Sequence, residues 1–482
     1  MGCAVSELAT LTRSGNWQQF RFGVVGLGVA GFACADALSQ VGAQTWAMDR
    51  STSDAIADKA ALLEMLDVTV QIGDQAALPD DLDVLVVSPG LRPSHPLIRS
   101  AIDRGIPVWG ELELAWRLRD EHRNVPWLAV TGTNGKTTTT LMLESILRAD
   151  GRRAIAAGNI GNSVVHTVMD PDGPDVIALE VGAPQMPFTS SMSAFASVCL
   201  NIADDHIDHF GSFDAYVSAK ARVYEQTQIA AVYNVQDPAT ERLVEQADVV
   251  EGCRAIGFTL GTPGLSMLGV VEDVLVDRAF IDNRASHAQE LATFDDIHPF
   301  APHNVANALA AAALARAYGV QPAAVRDGLR DFQPAGHRIA PAGEIDGIRF
   351  VDDSKATNTH AAETALASYE HVVWIAGGQA KGQSFDALVE KMAKRMRAAI
   401  LLGEDRHIIK SAFERLAPSV PVVEITDTTP DALDDVVAAS LRFAKPGDVV
   451  LLAPGCASWD MFTNYGHRGD RFVEAVRKHG GA

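Results

Sequence analysis

Three things are scarce in this chain, and each scarcity closes off a class of protein. Cysteine is rare: Cys3, Cys34, Cys199, Cys253 and Cys456 are five thiols in 482 residues, odd in number and without C-x-x-C spacing. That excludes a disulfide-stapled scaffold and a cysteine-built zinc site, and it leads us to expect reduced thiols in a cytoplasmic protein. Long apolar runs are missing. The nearest, Ala308 to Ala315, is stopped by Arg316, far short of the roughly 18 residues that a spanning helix requires. No membrane insertion is expected, and no secretory apolar segment is read at the start. Positive charge is in deficit, with 40 basic against 61 acidic residues and a net charge of −21. Such a field opposes nonspecific nucleic-acid or anionic-membrane binding, so an anionic substrate would depend on local positive groups.

The opening Met1-Gly2-Cys3-Ala4-Val5-Ser6 matches the acylation pattern M-G-x-x-x-[ST]. No basic segment follows to supply a second anchoring signal, so it is not read as an anchor. What is present is an ordinary globular composition, 47% hydrophobic and 21% charged, over a length that suggests about three domains.

The densest chemistry lies in Thr131-Gly132-Thr133-Asn134-Gly135-Lys136-Thr137-Thr138, after the apolar run Trp127 to Val130 and before an apolar-striped helix. Strand, glycine turn and helix make a phosphate cradle, because tight turns aim several N–H groups at one anion and the helix adds its partial positive end. Gly132 to Thr138 are thus expected to bind a nucleotide triphosphate, with Lys136 on the β/γ-phosphates and Thr137 on Mg²⁺. Val130 occupies the place where the strict G-x-x-x-x-G-K-[ST] pattern has its first glycine, so the loop is a variant with that glycine shifted to Gly132.

Upstream, Gly26-Leu27-Gly28-Val29-Ala30-Gly31 is a G-x-G-x-x-G turn between strand and helix, and Asp49-Arg50 ends the next strand. NAD and a UDP-sugar both fit such a turn, since each presents a pyrophosphate and a ribose. Gly28, Val29, Ala30, Asp49 and Arg50 are candidate contacts, and Ser88-Pro89-Gly90, at the end of another strand, should face the same crevice. The charged segment Arg119 to Pro126 puts a domain boundary near Arg123.

Downstream, Glu180 ends an apolar strand beside the P-loop, where a second Mg²⁺ ligand is wanted. Asp204-Asp205-His206-Ile207-Asp208-His209 follows another strand and reads either as a solvated acidic helix start or as a metal and phosphate centre. Lys220, on a helix read from Phe213 to Gln226, is by default a surface lysine. Asn304 and Asn307 share one helix face and could grip a nucleotide or simply cap. A second boundary falls at Phe332 to Gly336. Beyond it strands and helices alternate again, with polar clusters at strand ends: Asp352 to Asn358, Gly377 to Lys381 and Pro454 to Ser458. These should converge on one sheet edge. The fold class is therefore α/β in three domains: residues 1–123 Rossmann-like, 124–334 a P-loop domain with a mostly parallel sheet, and 335–482 a second Rossmann-like domain.

Assembled, these motifs resemble the Mur ligases, in particular the type that adds D-glutamate. The resemblance rests on T-G-T-N-G-K-T-T, Asp205-His206, Ala219-Lys220, His303-Asn304 with Asn307, Gly336-His337-Arg338, Asp353 to Asn358, and Ala457-Ser458-Trp459-Asp460 with Asn464-Tyr465 and Arg468-Gly469. It implies that the first domain holds the UDP substrate, the second ATP, and the third the incoming amino acid. It further implies Thr137 and Glu180 on one Mg²⁺ and His206 and Lys220 on a second, with Lys220 carbamylated. Asn159 would lie at the reacting carboxyl, Asn304, Asn307, Arg338 and Asp353 at the nucleotide, and Thr357, Lys381, Ser458 and Tyr465 at D-glutamate. Lys136, His206, Lys220 and Asn159 are the implied catalytic set. The implied partners are UDP-N-acetylmuramoyl-L-alanine, D-glutamate and ATP, for a monomer that binds no nucleic acid; the alternative is a sibling ligase or a folylpolyglutamate-synthase-like enzyme. One departure stands out: the family follows its metal glutamate with L-S-S-F-Q, and here Val181-Gly182-Ala183-Pro184-Gln185 follow Glu180. Proline there puts the loop geometry in question.

Overall fold

The computed structural model of the chain describes residues 7–74, 77–205, 207–334 and 336–480. Two compact units result: residues 1–202 with 209–332, and 203–208 with 333–482.

In the first unit, β1 (Arg21–Val25), β2 (Gln44–Asp49), β3 (Thr69–Ile72), β4 (Val84–Val87) and β5 (Val108–Gly110) form a parallel sheet of order β3-β2-β1-β4-β5. β4 is apolar and buried along its whole length, as a strand covered on both faces must be. A second sheet takes β6 (Trp127–Thr131), β7 (Ala154–Gly158), β8 (Val176–Glu180), β9 (Ala196–Cys199), β10 (Ala230–Asn234), β11 (Arg254–Phe258), β12 (Met267–Val271), β13 (Val274–Asp277) and β14 (Gln289–Thr293) in the order β14-β13-β12-β11-β10-β9-β6-β8-β7. It is parallel from β7 to β12, and antiparallel where β13 and β14 form its edge. β6 lies between β8 and β9, so whatever follows these three strands meets at one edge.

The helix Lys136–Ala149 packs on this sheet beside Pro302–Ala317 and Pro322–Asp331. Ala308 to Ala315 are completely buried in the second of these, small side chains letting a helix sink into the core. Gly328 lets the third approach, since a Cβ there would lie 2.4 Å from Ile146 Cα.

The N-terminal and central sheets share one core, running from Phe22 and Trp109 to Trp127, Leu179 and Tyr224. Two buried carboxylates stitch them. Glu111 accepts from Ser163 Oγ at 2.7 Å and Val164 N at 3.0 Å. Glu113 accepts from Arg117 Nε at 2.7 Å and from Ser190 N and Ser191 N at 2.7 and 2.8 Å. This is why the two belong to one compact unit although each has its own sheet.

In the second unit β15 (Ala340–Ile345), β16 (Ile348–Asp352), β17 (Val372–Gly377), β18 (Met396–Leu402), β19 (Val422–Glu424) and β20 (Val449–Leu452) follow the order β15-β16-β20-β17-β18-β19. The sheet is parallel except for the β15–β16 hairpin. β16, β20 and β17 are adjacent, so the three polar clusters do leave the sheet at one edge. The α/β class of the sequence reading holds in all three sheets. No helix among the described residues is long and apolar enough to cross a membrane. The acylation-pattern residues 1–6 lie outside the described residues.

Candidate active site

β6 ends at Thr131 and hands the chain to Gly132 at φ +153° and Gly135 at φ +82°, conformations that side chains disfavour. Space forbids side chains too: a Cβ on Gly132 would lie 2.9 Å from Leu200 Cβ, and one on Gly135 2.4 Å from Asn307 Oδ1. Gly135 caps the helix that begins at Lys136, leaving first-turn N–H groups for an anion. Lys136 curls back, its Nζ donating to the carbonyls of Gly132 and Thr133, both at 2.9 Å. Thr137 and Thr138 occupy the first turn of that helix, Thr138 buried and Thr137 half-buried.

Asn201, to which the sequence reading gave no role, braces this loop. Asn134 N donates to its Oδ1 at 2.8 Å, its Nδ2 donates to Asn134 O at 3.1 Å, and its carbonyl accepts Thr133 N at 2.9 Å. Tyr216, also passed over, shares a hydrogen bond of 2.9 Å with Thr133 Oγ1. Position at the end of β9, and i, i+4 spacing of Tyr216 from Lys220, were the available signals.

Lys220 is not the surface lysine of the default reading: it is 1% exposed, its Nζ donates to Gly132 O at 2.7 Å and lies 4.8 Å from the Tyr216 ring centroid. Its helix also ends earlier than read, at Ala221, with a 3-10 turn to Tyr224 before Gln226 takes a left-handed conformation.

Glu180 pairs in register with Val130 at the end of β8 and is 2% exposed. Its Oε1 accepts from Asn159 Nδ2 at 2.9 Å, while its Oε2 is buried with no hydrogen-bond partner. A carboxylate oxygen left so among the described residues costs free energy unless something cationic or protic reaches it. Hard oxygen donors such as the Glu180 carboxylate and the Thr137 hydroxyl are what Mg²⁺ accepts, so the donor chemistry of these residues fits that ion. His206 lies outside the described residues, and among them no group of three or more His, Cys, Asp or Glu is arranged to hold a metal.

The segment after Glu180 resolves the question raised by Pro184. Ala183–Phe188 is a 3-10 helix, and Gln185 Oε1 accepts Gly182 N at 2.8 Å. A Cβ on Gly182 would lie 3.1 Å from Asn159 Oδ1, so the small residue leaves room for Asn159. Farther along, Asn304 Nδ2 donates to Pro299 O at 2.9 Å and Asn307 Nδ2 to Asn304 Oδ1 at 3.3 Å, which fixes both buried amides, with Asn307 beside Gly135.

At the N-terminal glycine turn Gly26 takes φ +88°, and a Cβ on Gly31 would strike Gly26 O at 1.7 Å. Asp49 closes this turn: its Oδ2 accepts Leu27 N at 2.6 Å and its Oδ1 Ser51 N at 2.8 Å. Lys59, missed in the sequence, donates to Leu27 O at 3.0 Å. Arg50 is exposed and pairs with Asp74 at 2.6 Å. Ser88 does face the turn, its Oγ 3.9 Å from where a Gly28 Cβ would be; Val29 and Gly90 are exposed, and Ala30 and Pro89 half-buried.

In the C-terminal unit His337 Nδ1 lies 2.6 Å from Asp352 Oδ2, and Ser354 N donates to Asp352 Oδ1 at 2.9 Å. Arg468, 1% exposed, donates to Ser354 Oγ, Ser354 O and Cys456 O at 2.9, 2.7 and 3.2 Å. Gly469 admits the pair, since a Cβ there would lie 2.0 Å from His337 Nδ1. Burial pushes the Asp353 carboxyl up to about 7, against the pull of the half-buried Arg338, and pushes Arg468 down to about 10. The hydrogen bond to Asp352 raises His337. Burial also pushes the Cys199 and Cys456 thiols up to about 12, which removes them as nucleophiles. Lys355 Nζ stands 3.8 Å from the Tyr465 ring centroid and Lys381 Nζ 4.5 Å from that of Trp459; Ser458 is buried, Thr357 half-buried and Tyr465 exposed.

Three domain families match in succession: Mur ligase MurD-like, N-terminal domain, over residues 21–110; Mur ligase middle domain over 130–315; and Mur ligase, glutamate ligase domain, over 337–456. The chain is 54% identical to the UDP-N-acetylmuramoylalanine--D-glutamate ligase of Streptomyces avermitilis over 96% of its own length and 99% of that protein. It is 54% identical to the like-named protein of Streptomyces coelicolor over 95% and 98%. Among solved structures, UDP-N-acetylmuramate-alanine ligase MurC of Thermotoga maritima shares the fold, with a TM-score of 0.59 at 19% identity over 95% of this chain and 99% of that one.

Proposed function

The chain belongs to the Mur ligase family, and we propose that it is the member that joins D-glutamate to UDP-N-acetylmuramoyl-L-alanine at the expense of ATP, in peptidoglycan precursor synthesis. The observation that carries this is the cluster around Gly132: half-buried Lys136 and buried Lys220 both on its carbonyl, and buried Glu180 with an unbonded oxygen one strand away. Full-length relatives that bear this activity in their names support it.

A carboxylate resists attack by an amine because it would have to expel oxide. Phosphorylation removes the obstacle: the alanyl carboxylate attacks the γ-phosphorus of ATP, the bond to the bridging oxygen breaks, and an acyl phosphate and ADP result. The D-glutamate amine then adds to the acyl carbon, loses a proton, and the tetrahedral intermediate expels phosphate as the amide forms. Gly132 to Thr138 bind the triphosphate through backbone N–H groups, and Lys136 leaves its carbonyl partners for the phosphates. Glu180 and Thr137 would hold Mg²⁺, which when bound neutralises phosphate charge. Asn159, hydrogen-bonded to Glu180, orients the reacting carboxyl. A second ion on His206 and a carbamylated Lys220 belongs to the same proposal, favoured by the burial of that amine.

Asn304, Asn307, Arg338 and Asp353 serve the nucleotide, and Gly28, Val29, Ala30, Asp49, Arg50, Ser88, Pro89 and Gly90 the UDP group. Asp49 acts there by shaping the turn, its oxygens being taken by backbone N–H groups. Thr357, Lys381, Ser458 and Tyr465 receive D-glutamate. We assign these tasks to domains 1–123, 124–334 and 335–482 of a monomeric cytoplasmic enzyme. ADP formation should require ATP, Mg²⁺, UDP-N-acetylmuramoyl-L-alanine and D-glutamate together, and Lys136→Ala should lower it on the order of 100-fold or more. Vigorous turnover with L-lysine or L-alanine in place of D-glutamate would refute the assignment.

A further inference from the structure

The proposed reaction leaves Trp459 without a task. It follows Ser458 and is 66% exposed, yet its ring is engaged, with the Lys381 ammonium 4.5 Å from the centroid. The backbone dictates this meeting. Gln379 N donates to Ala457 O at 2.9 Å and Ala457 N to Gln379 O at 3.0 Å, an antiparallel bridge between the loops that follow β17 and β20. Gly378, at φ +127°, makes the bridge sterically feasible, because a Cβ there would lie 2.2 Å from Ala457 O. Ala380 N is fixed by Asp405 Oδ2 at 2.8 Å. Lys381 itself adopts a left-handed φ of +51°, a conformation that residues with a Cβ keep only where surrounding structure enforces it. Among the described residues no carboxylate pairs with its ammonium, so the indole is the group that receives the charge.

We infer that Trp459 is a positioning residue for the amino-acid substrate: its ring face holds Lys381 so that the ammonium meets a carboxylate of an incoming amino dicarboxylic acid. This rests on the reading above that Lys381 receives D-glutamate. A lysine stem has many rotamers to lose on binding, and a ring that restricts them beforehand lowers that loss without occupying a hydrogen-bond donor. The ring quadrupole attracts the cation but yields it partly to a full negative charge, so the lysine stays available.

Full-length Trp459→Phe, Trp459→Leu and Trp459→Ala enzymes distinguish the ring face from mere bulk, and so exposed a position spares the fold. With ATP, Mg²⁺ and the UDP-substrate saturating, Trp459→Phe should keep the KM for D-glutamate. Trp459→Leu and Trp459→Ala should raise it about 2–5-fold, the factor an exposed cation–π contact carries, with kcat and the KM for ATP unchanged. A leucine variant that behaves like the phenylalanine one, or an equal rise in the KM for ATP, overturns the inference while leaving the ligase reading intact. Absence of D-glutamate-dependent ADP formation by the unaltered enzyme removes both.

Discussion

Glu180 sits at the end of β8 with one carboxylate oxygen on Asn159 and the other buried and unbonded among the described residues. Glutamine has nearly the same shape and no charge to bury, so Glu180→Gln should melt no lower than the parent while losing on the order of 100-fold or more of its Mg²⁺-dependent turnover. Calorimetry beside an ADP assay checks this, and a clear drop in melting temperature would mean that Glu180 is structural. A second residue-scale effect concerns pH. Burial pushes Asp353 from 3.8 up to about 7, so across that interval the folded chain holds a proton that the unfolded chain has released. Stability therefore falls as pH rises through the interval. His337, raised above 6.5 by Asp352, adds stability that is complete below its ordinary pKa and is lost as pH climbs through the folded one, a slope of the same sign. Urea unfolding at about pH 4.5 and 7.5 should show Asp353→Asn gaining on the parent by on the order of a few kcal/mol at the higher pH. At this scale Lys136 and Glu180 were legible from motif and strand-end position. Asn201 and Tyr216 were not: strand-end position and helix spacing hint at them, but neither signal names a partner 67 or 83 residues away.

At the scale of elements, the buried apolar strands announced themselves, as did the edge strand β19, whereas the edge strands β3 and β15 did not. β4, and β6 up to its last residue Thr131, are unbroken apolar runs because both faces are covered. β3, Thr-Val-Gln-Ile, is largely uncovered at the rim of its sheet, and β15 carries proline and glycine in a hairpin. Such strands lack the burial that writes a pattern into sequence. Helix packing was equally silent about its tightest point. Gly328 faces Ile146 so closely that Gly328→Ala should push Pro322–Asp331 off the P-loop helix, destabilising the first unit by about 1–3 kcal/mol. Its melting temperature should drop accordingly, whereas alanine at the exposed Gly336, around which a Cβ would meet nothing, should leave it unmoved.

At the scale of the molecule, sequence motifs suggest three domains, and packing gives two compact units, because Trp109, Trp127 and Tyr224 share a core and Glu111 and Glu113 bridge the first two. Residues 1–332 should therefore unfold in one calorimetric transition when produced alone, and residues 1–123 should not fold by themselves; separate transitions for the two sheets would contradict a common core. The α/β class, the phosphate loop, the strand-end clusters and the family are legible from residue order alone, since each is written in short-range patterns: glycine where a turn must be tight, apolar runs where strands are buried, polar residues where strands end. That Lys220 is interior, that Asp49 serves the backbone, and that Lys381 rests on Trp459 follow from the packing of distant segments. The fate of a polar side chain depends on what the rest of the chain brings next to it, and no neighbouring residue in sequence carries that information.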